Sequence, residues 1–146
     1  MRRFSVAPDV VYDAFTNPES MRIWWGENTT FDIDLRVGGR WTVIRREDDT
    51  EYLATGEYLV VERPSRLVYG YGMPQFSPNT DTIWIDIASD EGGSVVTFEV
   101  SGEDIAGELR EVPEGEISAS EDGWRQGFDL LDAAWSESLS DSQQGP

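Results

Sequence analysis

Apolar residues recur along this chain with two different periods, and the switches between them divide it into a helical opening, a run of strands and a helical close. Val11, Ala14 and Phe15 stand at i, i+3 and i+4, which predicts a short helix with one buried face. It opens at Ala7-Pro8-Asp9, with proline at the first helical position and an acid in the first turn, and stops at Asn17-Pro18-Glu19. A second short helix carries Met21, Trp24 and Trp25, and Gly26 ends it. Arg2 to Val6, ahead of both, reads as a short extended lead-in.

From residue 29 the period becomes two. Phe31, Ile33 and Leu35 alternate with Asp32, Asp34 and Arg36, the pattern of a half-buried strand. Gly38-Gly39 signals a hairpin, Arg40 to Arg46 the return strand and Glu47 to Glu51 a charged turn. Leu53 to Val61 and Leu67 to Tyr71 are strands joined by Arg63-Pro64-Ser65-Arg66. Pro74 and Pro78 make residues 72–79 a loop; Ile83, Ile85 and Ile87 then share one strand face, and Val96, Phe98 and Val100 that of the next. Six strands on short connections, with the lead-in as a seventh, predict a meandering antiparallel sheet. Residues 101–117 are acidic and glycine-rich without a clear period, and read as a long loop of the kind that forms lids or binding loops. Ser118-x-x-Glu121 fits a capping box, and Trp124, Gly127, Phe128, Leu131 and Trp135 share one face of the helix that follows. The expectation is one α+β domain over residues 1–139, with a polar tail at 140–146 that frays.

Composition narrows the chemistry. The 146 residues contain no cysteine and no histidine, so thiolate chemistry, disulfides and the commonest neutral-pH base and metal ligand are excluded. All 11 basic residues are arginine, set against 29 acids for a net charge of -18. Such a surface repels phosphate backbones and anionic lipid, so neither nucleic acid nor membrane is expected as a partner. No cofactor is expected, and no metal either: the acids at 103–116 lack the spaced Asp, Asn and Gly of a calcium loop. No apolar run is long enough for a membrane span or a signal peptide, which points to the cytoplasm.

Several segments resemble the Hsp90-ATPase-activator-like branch of the START/Bet v 1 superfamily. They are residues 11–19 (Val-Tyr-Asp-Ala-Phe-Thr-Asn-Pro-Glu), Trp24-Trp25-Gly26, residues 34–41 ending in Gly-Gly-Arg-Trp, Gly56-Glu57-Tyr58-Leu59, residues 63–69 and Gly123-Trp124-Arg125-Gln126-Gly127. Their order across nearly the whole chain implies a helix-grip fold, in which a curved antiparallel sheet closes on a long C-terminal helix around a cavity. Residues 102–117 depart from the family pattern in length and acidity.

The aromatic residues then nominate a site. Trp25, Phe31, Trp41, Tyr69, Tyr71, Trp124 and Phe128 all fall on inferred inward faces, joined by Ile33, Tyr58 and Phe98. Any one ring is readily explained as core, but together they exceed what a sheet curved around one helix needs, unless some line a cavity. Gly127, mid-helix, marks either close packing or room for a ligand. The leading expectation is a non-enzymatic protein holding a small apolar molecule between sheet and helix, with Tyr58, Tyr69 and Tyr71 as polar anchors. Two alternatives stand beside it: an Hsp90-type chaperone or stress-response partner, from the resemblance, and a cyclase- or hydrolase-like enzyme using tyrosines and carboxylates. No catalytic residue is nominated. Arg40 and Glu57 read as a cross-strand ion pair on the outer face. Trp84, on the face opposite Ile83, Ile85 and Ile87, points to a homodimer interface.

Overall fold

A computed structural model describes residues 2–113 and 115–144. The elements are β1 (Arg2–Phe4), α1 (Pro8–Thr16), α2 (Pro18–Trp25), β2 (Thr29–Ile33), β3 (Arg40–Glu47), β4 (Thr50–Glu62), β5 (Arg66–Tyr71), β6 (Asp81–Asp90), β7 (Gly93–Ser101), α3 (Glu103–Glu111) and α4 (Ala119–Gln144). The seven strands form one curved antiparallel sheet in the order β1-β7-β6-β5-β4-β3-β2, and with α4 they make a helix-grip fold. β1 leaves the meander and pairs with β7, so the lead-in closes one edge of the sheet.

Alternation decides which side chains face the helices. Ile83, Ile85 and Ile87 are buried on β6, while Trp84 and Asp86 between them face out. Val11, Ala14 and Phe15 of α1 are buried as their spacing predicts, and Tyr12 with them. α1 is tied to the β4–β5 turn: Tyr12 Oη donates to the Arg66 carbonyl, and Arg63 pairs with Asp13 at 2.9 Å. On α4, Phe128, Leu131 and Trp135 are buried along one stripe and Trp124 half-buried at its start. Ser118 Oγ accepts the Glu121 N–H at 3.0 Å, so the predicted cap forms its serine half. The helix runs through residues 140–144 of the tail expected at 140–146; residues 145 and 146 lie outside the described residues.

Two expectations are corrected. β2 ends at Ile33, so Leu35 is not on its inner face but 38% exposed in a wide turn. The Asp34 N–H donates to the Arg40 carbonyl, the Gly39 N–H to the Arg36 carbonyl, and Arg36 pairs with the Asp34 carboxylate, which folds residues 34–39 on themselves. The second correction is α3, where a structureless loop was expected. Its capping position is Gly102, which has no side chain to offer. The acceptor comes from another strand: the buried Asp81 carboxylate accepts the N–H groups of Asp104 and Ile105 at 3.3 and 3.0 Å. A helix whose cap is supplied across space leaves no local capping signal.

On the outer face, Arg40 and Glu57 are register partners as expected, but the ion pairs that form between register partners among the described residues are Arg66 with Asp86 and Arg46 with Glu51. Trp84 is 39% exposed beside its register partner Val68, which is buried, and its indole N–H reaches Ser101 Oγ at 3.4 Å.

Candidate functional site

The aromatic excess is largely spent on filling the interior. A chain of ring contacts runs from Trp135 through Phe4, Phe128, Trp124, Tyr71, Trp41 and Tyr69 to Tyr58, with centroids 5.2 to 6.3 Å apart. Where Trp25, Trp41, Tyr58 and Tyr69 meet Phe15, Met21 and Trp24, only about 10 Å³ remains. That is the volume of about one water. The cavity expected between sheet and helix is therefore filled at this end by the side chains nominated to line it.

Gly127 explains part of the filling. A Cβ there would sit 2.8 Å from Cε3 of Trp24, so this glycine lets α4 rest on α2's tryptophan rather than leaving room for a ligand. Trp24 is held in turn by donating its indole N–H to the Ala14 carbonyl at 2.7 Å. Phe31 and Ile33 are half-buried against the core; Arg22 lies over the Phe31 ring at 5.3 Å.

Space opens on the other side of Phe128. A groove of about 670 Å³ lies between β7, the N-terminal half of α4, and α3. Its walls are apolar: Phe98, Val100, Phe128 and Trp124 from sheet and helix, Ile105 and Leu109 from α3. Phe98 and Trp124 lie 4.8 Å apart in its wall. Arg2 and Arg125 stand at its rim, but each is paired, with Asp129 at 2.6 Å and Glu121 at 3.3 Å, so the rim offers no free cation to an acid. Ser118 and Ser120 add hydroxyls. Of the eleven nominated residues, then, Phe98, Trp124 and Phe128 come together on the groove. Trp25 and Tyr71 border a smaller concavity of about 200 Å³. Trp41, Tyr58, Tyr69 and Gly127 are interior, and Phe31 and Ile33 lie half-buried at the edge of the core. Sequence reasoning missed Ile105 and Leu109, whose i, i+4 spacing was the available signal for an amphipathic α3.

α3 is a thin wall. None of its residues is fully buried, and Leu109 is 55% exposed although it faces the groove. Polar contacts hold it: the Asp81 carboxylate at its N-terminus, Ser77 and Asn79 donating to Asp104 at 3.0 Å each, and Ser120 donating to Glu108 at 3.0 Å. Burial pushes the Asp81 carboxyl above its ordinary value of 3.8, with Asp104 and Glu108 adding repulsion and the two backbone N–H groups opposing. A carboxyl whose pKa rises on folding holds its proton more tightly when folded, so its charge costs stability at neutral pH and the cost fades as pH falls through the raised pKa. Wild type should therefore gain stability relative to Asp81→Asn as pH is lowered from 7 towards 4. Urea melts of both proteins across that range check the sign; a difference that stays flat or runs the other way would mean that the two N–H bonds outweigh burial.

The tyrosines are poor acid–base candidates. Burial pushes the Tyr58 and Tyr69 phenols far above their ordinary value of 10.0, so both stay protonated and neutral. The small interior space they border touches no carboxylate or arginine. Among the described residues, no three acids are placed to hold a metal ion, and no helix is long and apolar enough to cross a membrane.

A helix-grip domain with an apolar groove beside its terminal helix defines the class of molecule. The family model described as Activator of Hsp90 ATPase homolog 1-like protein matches residues 5–136, and the chain belongs to that family. No curated protein matches it. Solved structures share the fold: a Rhodobacter sphaeroides protein at 16% identity and TM-score 0.75 covers 93% of this chain and 89% of its own. A solution structure of an Arthrobacter aurescens protein has 19% identity and TM-score 0.75 over 93% and 83% of the two chains. CalU16 from Micromonospora echinospora has 21% identity and TM-score 0.62 over 98% and 78%.

Proposed function

We propose that this protein is a cytoplasmic, non-enzymatic carrier or sensor of a small, uncharged apolar molecule, held in the groove between β7, α3 and α4. One observation carries the reading: the groove's volume of about 670 Å³ falls inside the ~300–1,000 Å³ range of small-molecule sites, and rings and aliphatic side chains form most of its wall, beside two serine hydroxyls and the Arg2–Asp129 and Arg125–Glu121 pairs. Its paired arginines favour a neutral ligand over an acid. The solvent-facing half of Leu109 gives a bound molecule apolar surface to cover.

The test uses the neutral dye N-phenyl-1-naphthylamine. Wild type is expected to bind it saturably, with dye emission rising and Trp124 emission quenched. Leu109→Glu, at an exposed position, should weaken binding about tenfold without lowering the melting temperature, because it places a charge on the groove wall. Unchanged affinity in Leu109→Glu, or no saturable binding by wild type, overturns the reading.

A further inference from the structure

Two interior tryptophans are fixed by hydrogen bonds and a third is not. Trp24 donates to the Ala14 carbonyl at 2.7 Å and Trp41 to the Gly70 carbonyl at 3.0 Å. The Trp25 indole N–H is buried and has no partner among the described residues. Unsatisfied buried donors are uncommon in folded proteins, and one that remains gains a bond from any rearrangement that brings it an acceptor.

The same side chain is a wall shared by two spaces. On one side lies the interior remnant of about 10 Å³ bounded by Trp41, Tyr58 and Tyr69. On the other lies the concavity of about 200 Å³, formed with Tyr52, Ala54, Tyr71 and Met73. Arg45 and Glu47 stand at its rim and pair with each other at 3.3 Å, so it presents no unpaired charge. Trp25 closes α2, where Gly26 ends the helix with φ +105, so its ring sits at the end of an element rather than inside one.

We infer that Trp25 is the movable wall of a second ligand position, in which a small uncharged ring carrying a hydrogen-bond acceptor occupies the outer concavity and accepts from the Trp25 indole N–H. Turning of the ring brings the buried N–H to the concavity, where the acceptor supplies the bond that the folded chain leaves unmade, and the same turn joins the concavity to the interior remnant. This position rests, like the groove, on the reading that the fold holds small apolar molecules, but it shares no lining residue with the groove.

Different tryptophans report the two positions, so one experiment separates them. Full-length protein labelled with 15N at the indole nitrogens, assigned through single Trp→Phe variants, is titrated with acetophenone and with ethylbenzene, which are alike in shape but differ in the carbonyl. Acetophenone is expected to move the Trp25 indole proton to lower field in a saturable way, and ethylbenzene to bind about fivefold more weakly. Trp25→Phe keeps an aromatic wall, loses the donor and should abolish the preference for acetophenone. If the Trp124 signal alone moves, the groove reading stands and the Trp25 position falls. If Trp25 responds while the groove dye leaves Trp124 untouched, the Trp25 position stands and the groove reading falls. Equal binding of the two probes with no movement at Trp25 overturns the inference.

Discussion

Replacing Gly56 by alanine should lower stability by about 3 kcal/mol, the sum of overpacking and a lost buried hydrogen bond. Gly56 lies on β4 opposite Trp41, and a Cβ on it would stand 1.8 Å from the Gly70 carbonyl oxygen and 2.9 Å from Trp41 Nε1. These two atoms are hydrogen-bonded to each other at 3.0 Å, so a single methyl group would drive apart the donor and acceptor that fix Trp41. The nearest of these contacts is with the backbone of β5, which leaves little room to give. Urea denaturation should show the midpoint falling with the slope unchanged, and the thermal midpoint should fall by roughly 6–12 °C for a chain of this size. A loss under about 0.5 kcal/mol would show that β4 and β5 can part locally at no cost, and would remove the argument that Trp41 is rigidly placed.

Phe128→Ala should cost as much or more, about 3–5 kcal/mol. Phe128 meets five other rings, from Phe98 at 5.3 Å to Phe4, Phe15, Trp24 and Trp124 at 6.2 to 6.3 Å, and it is the partition between the filled interior and the open groove. Truncation loses the buried ring and leaves a void continuous with the groove. The signature therefore has two parts: a lower urea midpoint, and, at denaturant-free conditions where the variant remains folded, altered dye binding. Leu109→Glu is the control, touching the groove without touching the core. A Phe128→Ala protein as stable as wild type would mean that the ring is not part of the packed interior.

Much of the architecture was legible in the chain because it rests on local periodicity. The alternation of Ile83, Ile85 and Ile87 with Trp84 and Asp86 sets the register face of β6 whatever its neighbours are, since a slip of one residue would bury a carboxylate. The stripe of Phe128, Leu131 and Trp135 likewise marks α4 as a helix lying on something apolar. The site was less legible. Rings at inward positions were read correctly as inward, yet periodicity carries no information on whether an inward ring meets a ligand or another ring. Trp41, Tyr58 and Tyr69 meet other rings; Phe98 and Trp124 meet the groove. Gly127 shows the same ambiguity, because a missing side chain reads alike whether it makes room for Trp24 or for a ligand.

What local spacing and composition establish here is the order of the strands and of every helix but α3, the face of each that turns inward, the absence of histidine and cysteine chemistry, and the strongly acidic surface. Folding in three dimensions settles where space is left. α3 exists as a helix anchored by Asp81 of a strand more than twenty residues earlier, and that helix forms the third wall of the groove. The interior closes because Trp24 drops into the gap at Gly127, a contact between helices about a hundred residues apart. Cavities are set by the volume left over when side chains from distant segments pack, and no pattern within one segment encodes that remainder.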